Sequence, residues 1–313
     1  MDRKKVDIII PTYKPDDKFE KLIRGLKRQT YPIQNIFVIN TKTGVFPWDT
    51  SGLDERVKVT EIEFDEFDHG GTRRMGAAMS NADIFICMTQ DAVPADSRLI
   101  EELIAAFEDE KVGCAYARQL PAEDCRVIER YTRAFNYPAE SCVKDASSIS
   151  TMGIKAFFCS DVCAAYRKEY YEEVGGFPEH TIFNEDMITA GRMLKAGYKC
   201  AYAAKAKVIH SHNYSAVQQF KRNFDLAVSQ EDNPDVFKGI KSESEGIRLV
   251  KKTGGYLLKN GKFWLIPRLI VQSGFKYMGY RLGHRYRSLS QNAVLKCSSN
   301  PKYWENVKEK SQK

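Results

Sequence analysis

The sequence has no uncharged apolar run of roughly 18 residues, the length that a helix needs to cross a bilayer. It begins with MDRKKVDIII, which passes from charge directly into a short β-branched run, so no signal peptide is expected. It contains no internal repeat and no low-complexity tract. The eight cysteines lack a short paired spacing, and several lie in apolar runs, which favours a reduced, cytosolic compartment.

Acidic residues are scarce towards the C-terminal end of the sequence. Residues 251–313 contain 14 Lys and Arg against Glu305 and Glu309 alone, which gives this segment a net charge of +12. The whole chain carries +7, so the first 250 residues carry −5. This asymmetry indicates a basic appendage that meets an anionic partner, either nucleic acid or a membrane.

The hydrophobic pattern predicts strands that alternate with helices. Apolar runs such as VDIIIPTY, NIFVIN and DIFICMT predict strands, whereas Phe19, Leu22, Ile23 and Leu26 recur at helical spacing. With 43% hydrophobic residues, the chain can build a sizeable core. The alternation predicts crossover units and a mostly parallel central sheet flanked by helices, the α/β class.

Three other stretches carry weaker patterns. TRRMGAAMSNA has the small residues of a short packed helix, which we expect to open near Thr72. Residues 119–154 are predicted to be loop-rich, and long loops of this kind are usually functional. AFFCSDVCAAY is predicted to form paired strands.

Polar residues follow several of the predicted strands. Thr12, Asn40 and Asp91 each lie at or just past the end of one. Ligands of open α/β sheets bind beyond the carboxyl ends of the strands, so we expect these residues at a ligand site. Asp91, in the segment Thr89-Gln90-Asp91, is a candidate for holding a divalent cation, although it would equally serve as a turn residue before Pro94.

Glu185 and Asp186 open the predicted helix NEDMITAGRMLKAG. A carboxylate on the first turn of a helix that faces a cleft is well mounted to act as a general base. The helix dipole also favours carboxylates at this position, so a purely electrostatic role fits the sequence as well.

His210 and His212 stand two residues apart, so on a strand they share a face. Their imidazoles could bind a metal or a phosphate, although a histidine pair is more often structural.

The segment DHGGTRRMGAA places Gly71, Arg73 and Arg74 at the predicted start of a helix. Backbone N–H groups at a helix N-terminus, together with arginine, suit a phosphate, and a tight turn with surface arginines is the alternative. The spacing matches neither the P-loop nor the dinucleotide-binding fingerprint.

The basic tail mixes aromatic and cationic residues in GKFWLIPRLIVQSGFKYMGYRLGHRYR. We predict that residues 1–228 form one domain and that residues 229–313 form a helical basic segment. A basic helix with an apolar stripe is typical of a membrane surface, and a helix packed on the core with solvated lysines is the alternative.

Seven segments resemble, in order, the family-two inverting glycosyltransferases and, more narrowly, bacterial rhamnosyltransferases. These segments are IIIPTYKP, LKRQTYP, DHGGTRRMGAAM, MTQDAVP, YRKEYYEEVGGFPE, NEDMITAGRMLKAGY and VIHSHNYS. The match covers residues 5–225 and implies a GT-A fold.

The resemblance also implies roles for individual residues. It places Pro11, Thr12, Tyr13, Asn40, Gly71, Arg73, Arg74, Gln90 and Asp91 around the nucleotide-sugar donor. Asp91 corresponds to the metal-binding last residue of the family's acid-any-acid signature, in which Thr89 replaces the first acid. Asp186 corresponds to the base, with Glu185 beside it, and His212 would help to hold Mg²⁺ or Mn²⁺ or the diphosphate.

The implied reaction is a single displacement in which an acceptor hydroxyl attacks the sugar and the configuration inverts. The expected donor is dTDP-rhamnose, and the expected acceptor is a lipid-linked bacterial surface polysaccharide. The tail would then meet the inner face of the cell membrane rather than nucleic acid. Nucleotidyl transfer and a non-catalytic nucleotide- or nucleic-acid-binding role are the competing functions.

Overall fold

The computed structural model describes residues 3–43, 54–240 and 243–304. Residues 44–53, which include Trp48, and the last nine residues of the basic tail lie outside the described residues. The chain divides into two compact units. The first unit is formed by residues up to 122, 137–180 and 185–211, and the second by residues 123–136, 181–184 and the chain from 212 onwards.

The first unit is built on a nine-stranded sheet. Its strands are β1 (Val6–Tyr13), β2 (Asn35–Thr41), β3 (Val57–Ile62), β4 (Ile84–Met88), β5 (Val93–Pro94), β6 (Val112–Leu120), β7 (Cys142–Lys144), β8 (Cys163–Arg167) and β9 (Lys199–Ile209). Their order is β3-β2-β1-β4-β8-β6-β9-β5, and β7 also pairs with β9. The strands β3, β2, β1 and β4 are parallel, whereas β8 runs antiparallel to both β4 and β6. The predicted α/β class is confirmed.

Twelve helices accompany the sheet in the described part of the chain. They are α1 (Asp17–Lys27), α2 (His69–Met79), α3 (Leu99–Ile104), α4 (Val127–Asn136), α5 (Ser148–Met152), α6 (Lys168–Glu173), α7 (Glu185–Lys195), α8 (Ala216–Asp232), α9 (Pro234–Phe237), α10 (Glu243–Lys259), α11 (Ile266–Gly283) and α12 (Gln291–Cys297). Short 3₁₀ turns occur at Ala105–Glu108, Gly153–Phe157, Phe263–Leu265 and Tyr286–Ser288.

The helix α1 shows why the periodic apolar pattern was informative. The Asp16 side chain caps the helix by accepting from the Lys18 N–H at 2.9 Å. All four predicted apolar positions of this helix are buried. They pack in the same core cluster as Ile8 and Ile10 of β1, so burial of one helical stripe fixes α1 on the sheet.

Three local predictions are wrong. The helix α2 begins at His69 rather than near Thr72, because the Asp68 carboxylate caps it by accepting from the N–H groups of Gly70 and Gly71. The stretch predicted to be loop-rich contains the ten-residue helix α4. The predicted strand pair in AFFCSDVCAAY is a 3₁₀ turn followed by the single strand β8.

The second unit is helical, and the helix predicted in the basic tail is α11. Two glycines let α11 approach α8 closely, because a Cβ at Gly279 or Gly283 would collide with the backbone carbonyl of Phe220 or Phe224. The domain boundary predicted at residue 228 falls inside α8. Within the described residues, no helix is both long and apolar enough to span a membrane.

Candidate active site

The carboxyl ends of β1 and β2 meet at one edge of the sheet of the first unit. Thr12 and Asn40 are register partners on these parallel strands, and both are buried. The Thr12 hydroxyl donates to Asn40 Oδ1 at 3.0 Å, and Asn40 Nδ2 faces Glu61 Oε1 at 3.4 Å. The two predicted donor-binding residues are therefore joined to each other at the sheet edge.

Gln90 connects the segment after β4 to the end of β1. Its Oε1 accepts from the Tyr13 N–H at 2.8 Å, and its Nε2 donates to the Tyr13 carbonyl at 3.1 Å. This reciprocal pair of bonds leaves the Tyr13 ring at the surface, with its centroid 5.5 Å from that of Phe64. Pro11, two residues earlier, is partly exposed on the same strand. Gln90 therefore holds the backbone of Tyr13 at the end of β1.

Asp91 lies beside His210 of the first unit, with 3.5 Å between Asp91 Oδ1 and His210 Nε2. The other ring nitrogen of His210, Nδ1, lies 3.1 Å from Gln119 Oε1. Because Gln119 Nε2 donates to Tyr137 and Ser160, the Oε1 atom is the acceptor, and the network assigns the proton to His210 Nδ1.

This tautomer turns the Nε2 lone pair of His210 towards the Asp91 carboxylate. Two acceptors at this distance repel each other unless a proton or a cation lies between them. A carboxylate and an imidazole oriented by a further hydrogen bond are also common ligands of divalent metals. The residues present therefore fit a divalent cation. The sequence prediction named His212, and not His210, as a metal ligand.

His212 is the first residue of the last segment of the second unit. Its ring stacks on Tyr214 with 5.0 Å between centroids, and it lines a cavity of about 310 Å³ in that unit.

Asp186, the predicted base, is the second residue of α7. Its Oδ2 accepts from the Asp161 N–H at 3.1 Å. The next residue after Asp161 is Val162, whose carbonyl accepts from the Thr89 N–H at 3.3 Å. Thr89 lies two residues before Asp91, so these backbone links bring Asp186 and Asp91 to the same end of β4.

Arg73 lies in the interior of the first unit rather than at an open anion site. Its Nε is 3.3 Å from Asp161 Oδ2, and its Nη1 is 3.0 Å from Glu185 Oε1. All three side chains are buried, and the hydroxyl of Tyr166 donates to Asp161 at 2.7 Å. Buried charges are tolerated when they are paired and hydrogen-bonded, and Arg73 provides this pairing for two carboxylates.

One arginine therefore serves a cluster of three carboxyl groups, because Asp186 adjoins the other two. Burial, together with the negative charges of Glu185 and Asp161, raises the pKa of Asp186 well above its usual range. Burial also raises the pKa of Asp161 to about 7, against the opposing effect of Arg73. Burial lowers the pKa of Arg73, but Glu185 and Asp161 outweigh it and raise that pKa overall. The environment of the cluster thus favours the protonated forms of Asp186 and Asp161 more than water does, because it raises the pKa of both carboxyl groups.

The predicted phosphate-binding loop has structural contacts in place of an open site. The Gly71 N–H donates to Asp68 at 2.8 Å, and a Cβ at Gly71 would meet the Glu179 carbonyl at 2.9 Å. Arg74 donates to the carbonyls of Gly175 and Phe177 at 2.6 and 2.8 Å. These contacts hold α2 against the turn that follows α6.

The sequence prediction missed Asp161 and the internal role of Arg73. Asp161 lies in the stretch that was expected to form paired strands, where a carboxylate carried no distinct signal. Its partners Arg73 and Glu185 are distant in sequence, so only the fold brings the three together. The small residues around Arg73 were the available signal, since they indicated a helix packed closely on the sheet.

Comparison with known proteins identifies the family. The model of the family "Glycosyl transferase family 2" matches residues 7–175. The O-antigen chain rhamnosyltransferase RfbN of Salmonella typhimurium strain LT2 is 37% identical over 311 residues, which cover 99% of each chain. The O-antigen chain rhamnosyltransferase WbaN of Salmonella anatum is 37% identical over 312 residues, 98% of each chain.

Solved structures share the fold at low sequence identity. A mannosyltransferase from Pyrobaculum calidifontis, PcManGT, in complex with GDP-Man and Mn²⁺, has a TM-score of 0.57 and 15% identity, with 99% of this chain and 87% of that chain covered. Staphylococcus aureus TarS 1–349 in complex with UDP-GlcNAc has a TM-score of 0.52 and 13% identity, with 91% and 92% covered. At these identities the likeness concerns the fold alone.

The family match covers more than half of the chain, and the curated relatives align with nearly all of it. The resemblance and the GT-A fold that the sequence predicted are confirmed, and the nucleotidyltransferase and non-catalytic alternatives are not favoured. The chain belongs to glycosyl transferase family 2, and the protein is a glycosyltransferase.

Proposed function

We propose that the protein transfers rhamnose from dTDP-rhamnose to a hydroxyl of a bacterial surface polysaccharide, with inversion at the anomeric carbon. The names of the two rhamnosyltransferase relatives support the sugar and the polysaccharide acceptor. The arrangement that carries the proposal is the placement of Asp186 and Asp91 at one end of β4.

Asp186 acts as the general base in this proposal. Its Oδ1 accepts from the Met187 N–H at 2.7 Å and its Oδ2 from the Asp161 N–H at 3.1 Å, so two backbone donors fix the carboxylate. A base works best when its pKa lies near the operating pH, and the upward shift in Asp186 moves it in that direction. The acceptor oxygen loses its proton to Asp186 as it attacks the sugar, and the nucleoside diphosphate leaves from the opposite face.

Arg73 and Glu185 are positioning residues in this scheme. Arg73 binds Glu185 at the start of α7 and Asp161, whose N–H holds Asp186. The orientation of the base therefore depends on a buried ion-pair cluster, and Arg73 has no direct role on the donor.

Asp91 and His210 of the first unit would hold a divalent cation, and the metal-binding role of His212 stays a prediction from the sequence. The mannosyltransferase of similar fold contains Mn²⁺ with its nucleotide sugar. Such a cation, when bound, neutralises charge on the departing diphosphate. A mixed carboxylate and imidazole set favours Mn²⁺ over Mg²⁺, which prefers oxygen ligands.

The donor nucleotide is proposed to lie at the sheet edge formed by β1 and β2. Tyr13 and Phe64 present a pair of partly exposed aromatic rings on which a base can stack, while Thr12 and Asn40 define the buried floor. Pro11 fixes the backbone of β1 two residues before the exposed ring.

The acceptor is proposed to be lipid-linked, and the protein to bind peripherally at the inner face of the cell membrane through its basic tail. Exposed apolar residues of the second unit, among them Phe263, Trp264 and Ile270, support this placement, since each is more than 60% exposed.

The proposal is tested by incubating the protein with Mn²⁺, a saccharide acceptor that offers free hydroxyls, and a panel of nucleotide sugars that includes dTDP-rhamnose. Release of dTDP from dTDP-rhamnose, with slower release from dTDP-glucose and UDP-glucose, is the expected outcome. Release of pyrophosphate would instead indicate nucleotidyl transfer. No turnover of dTDP-rhamnose, with another nucleotide sugar as the preferred donor, would overturn the proposed donor.

A further inference from the structure

The second unit contains two cavities that share part of their walls. The first, of about 310 Å³, and the second, of about 430 Å³, are both lined by Arg126, Arg268 and Gln272. Each volume lies in the range of small-molecule sites, which is roughly 300–1,000 Å³. Because they share these residues, the two cavities form one groove.

The helix α11 presents two different stripes to this groove. Arg268, Gln272 and Lys276 recur at intervals of four residues, so they lie on one helical face, and all three line the first cavity. Pro267 and Val271 form the neighbouring stripe and line the second cavity. The groove therefore combines arginines that line both cavities with an apolar stripe, Pro267 and Val271, that lines the second cavity.

The two guanidinium groups of the groove are available to an anion. Among the described residues, no carboxylate lies within 4.0 Å of the guanidinium of Arg126 or Arg268. Glu129, which lines the first cavity, pairs with Arg133 at 2.8 Å. Burial lowers the pKa of Lys276, as expected for an ammonium group withdrawn from water.

Arg126 is held in place by the backbone around it. Its N–H donates to Asn213 Oδ1 at 2.9 Å, and its carbonyl accepts from the Arg130 N–H at 2.8 Å. Asn213 in turn donates to the Asp124 carbonyl at 3.0 Å. A guanidinium on such an anchored backbone suits the bidentate recognition of a phosphate.

The apolar part of the groove continues into exposed apolar surface. Val271 is 52% exposed, and Ile270 and Trp264 are each 63% exposed. Phe263 stacks edge-on against Trp264 with 5.5 Å between ring centroids. A ligand that matches both parts of the groove carries an anionic group at one end and a hydrocarbon chain at the other.

We propose that this groove binds the phosphate group of the lipid that carries the acceptor, with the anion at Arg126, Arg268 and Lys276 and the hydrocarbon chain along Pro267 and Val271. The inference rests on the proposed transfer to a lipid-linked acceptor, and it adds the residues that recognise the lipid. The cations of the groove favour an anionic phosphate as the ligand. The exposed apolar stripe favours a lipid phosphate over a soluble sugar phosphate.

The test is flotation with phosphatidylcholine vesicles that contain either a long-chain alkyl diphosphate or, at matched surface charge, phosphatidylglycerol. We expect a preference of about tenfold for the alkyl diphosphate vesicles, the size of one charge-assisted contact. Arg268→Gln and Arg126→Gln should each remove this preference. Arg285→Gln, which removes an exposed arginine just beyond α11 that lines neither cavity, should retain it.

Three outcomes would overturn the proposal. They are equal flotation on both vesicle types, an unchanged preference in both groove variants, and competition by free inorganic diphosphate as strong as that of the alkyl diphosphate. The assay contains no donor sugar, so its failure is distinct from a failure of sugar transfer, which is measured by dTDP release without vesicles. Thermal unfolding of each variant checks that the fold is retained.

Discussion

The two units of the chain treat charge and apolar surface in opposite ways. The first unit buries charged side chains, with Arg73, Asp161 and Glu185 all less than one-tenth exposed. The second unit leaves apolar side chains at the surface, since it holds nine of the fifteen exposed large hydrophobic residues found in the described part of the chain. Buried ion pairs hold side chains in a fixed geometry, and breaking one strongly destabilises the protein. Exposed apolar surface is instead suited to binding another molecule. The contrast supports the proposal that the first unit carries the chemistry and that the second unit docks to a partner.

The largest expected effect is on the chemistry of the first unit. Asp186→Asn should lower the rate of transfer by about 10²- to 10⁴-fold, because the amide cannot accept the acceptor's proton. Nucleoside diphosphate release at saturating donor measures the effect, and Glu110→Gln, at an exposed turn of the same unit, is the matched control. Parental activity in Asp186→Asn would remove this residue from the role of base.

Variants of Arg73 and Arg74, the neighbouring arginines of α2, distinguish a structural role of these residues from a role in donor binding. Arg73→Ala leaves two buried carboxylates without their partner and should lower the free energy of unfolding by about 3–5 kcal/mol. Arg74→Ala should cost about 1 kcal/mol, because its side chain is partly exposed and contacts two backbone carbonyls and the exposed carboxylate of Glu179.

Urea unfolding measures both variants, and calorimetric titration with dTDP measures donor-side binding. Equal losses of dTDP affinity in folded Arg73→Ala and Arg74→Ala proteins would favour the phosphate-binding role predicted from the sequence over the ion-pair role.

The packing of the second unit is tested by two glycines of α11. Gly279→Ala should lower the free energy of unfolding by about 1–3 kcal/mol, because the added methyl group collides with the Phe220 carbonyl. Gly274→Ala adds the same group where no atom lies within 4 Å, and it should leave stability unchanged or raise it. A similar response of the two variants in thermal unfolding would contradict the close approach of α11 to α8.

The smallest expected effect is a displacement of the pH profile. Asp186 must be ionised to act as a base, so activity is present above its raised pKa and is lost as the pH falls through it. Glu185→Gln removes a negative charge that raises this pKa, so the acidic limb of the rate profile should move to lower pH. An acidic limb that stays in place, or that moves to higher pH, would contradict the role of Glu185 in raising the pKa of Asp186.

Hydrophobic periodicity was sufficient to predict the parallel part of the sheet and α1, because burial on one face leaves a regular trace in the sequence. It failed at α2, where two glycines indicated a loop but the Asp68 cap extends the helix across them. It was also missed at α4, although Ile128, Tyr131 and Phe135 recur there at helical spacing, because turn residues elsewhere in residues 119–154 led to the loop prediction.

From the sequence, the candidate site could be proposed only as single residues at strand ends. Thr12, Asn40 and Asp91 could be selected because the ends of parallel strands meet at one edge. The pairing of Arg73 with Asp161 and the hydrogen-bonded tautomer of His210 depend on contacts between residues remote in sequence, and no local pattern encodes them.

The most direct test of the account is calorimetric titration of dTDP with Mn²⁺ into the parent protein, Asp91→Asn and Asp186→Asn. Asp186→Asn should bind as the parent does and fail only in transfer, whereas Asp91→Asn should lose the Mn²⁺-dependent part of the affinity. Unchanged Mn²⁺-dependent binding in Asp91→Asn, or an equal loss in both variants, would contradict the division of roles between the two carboxylates.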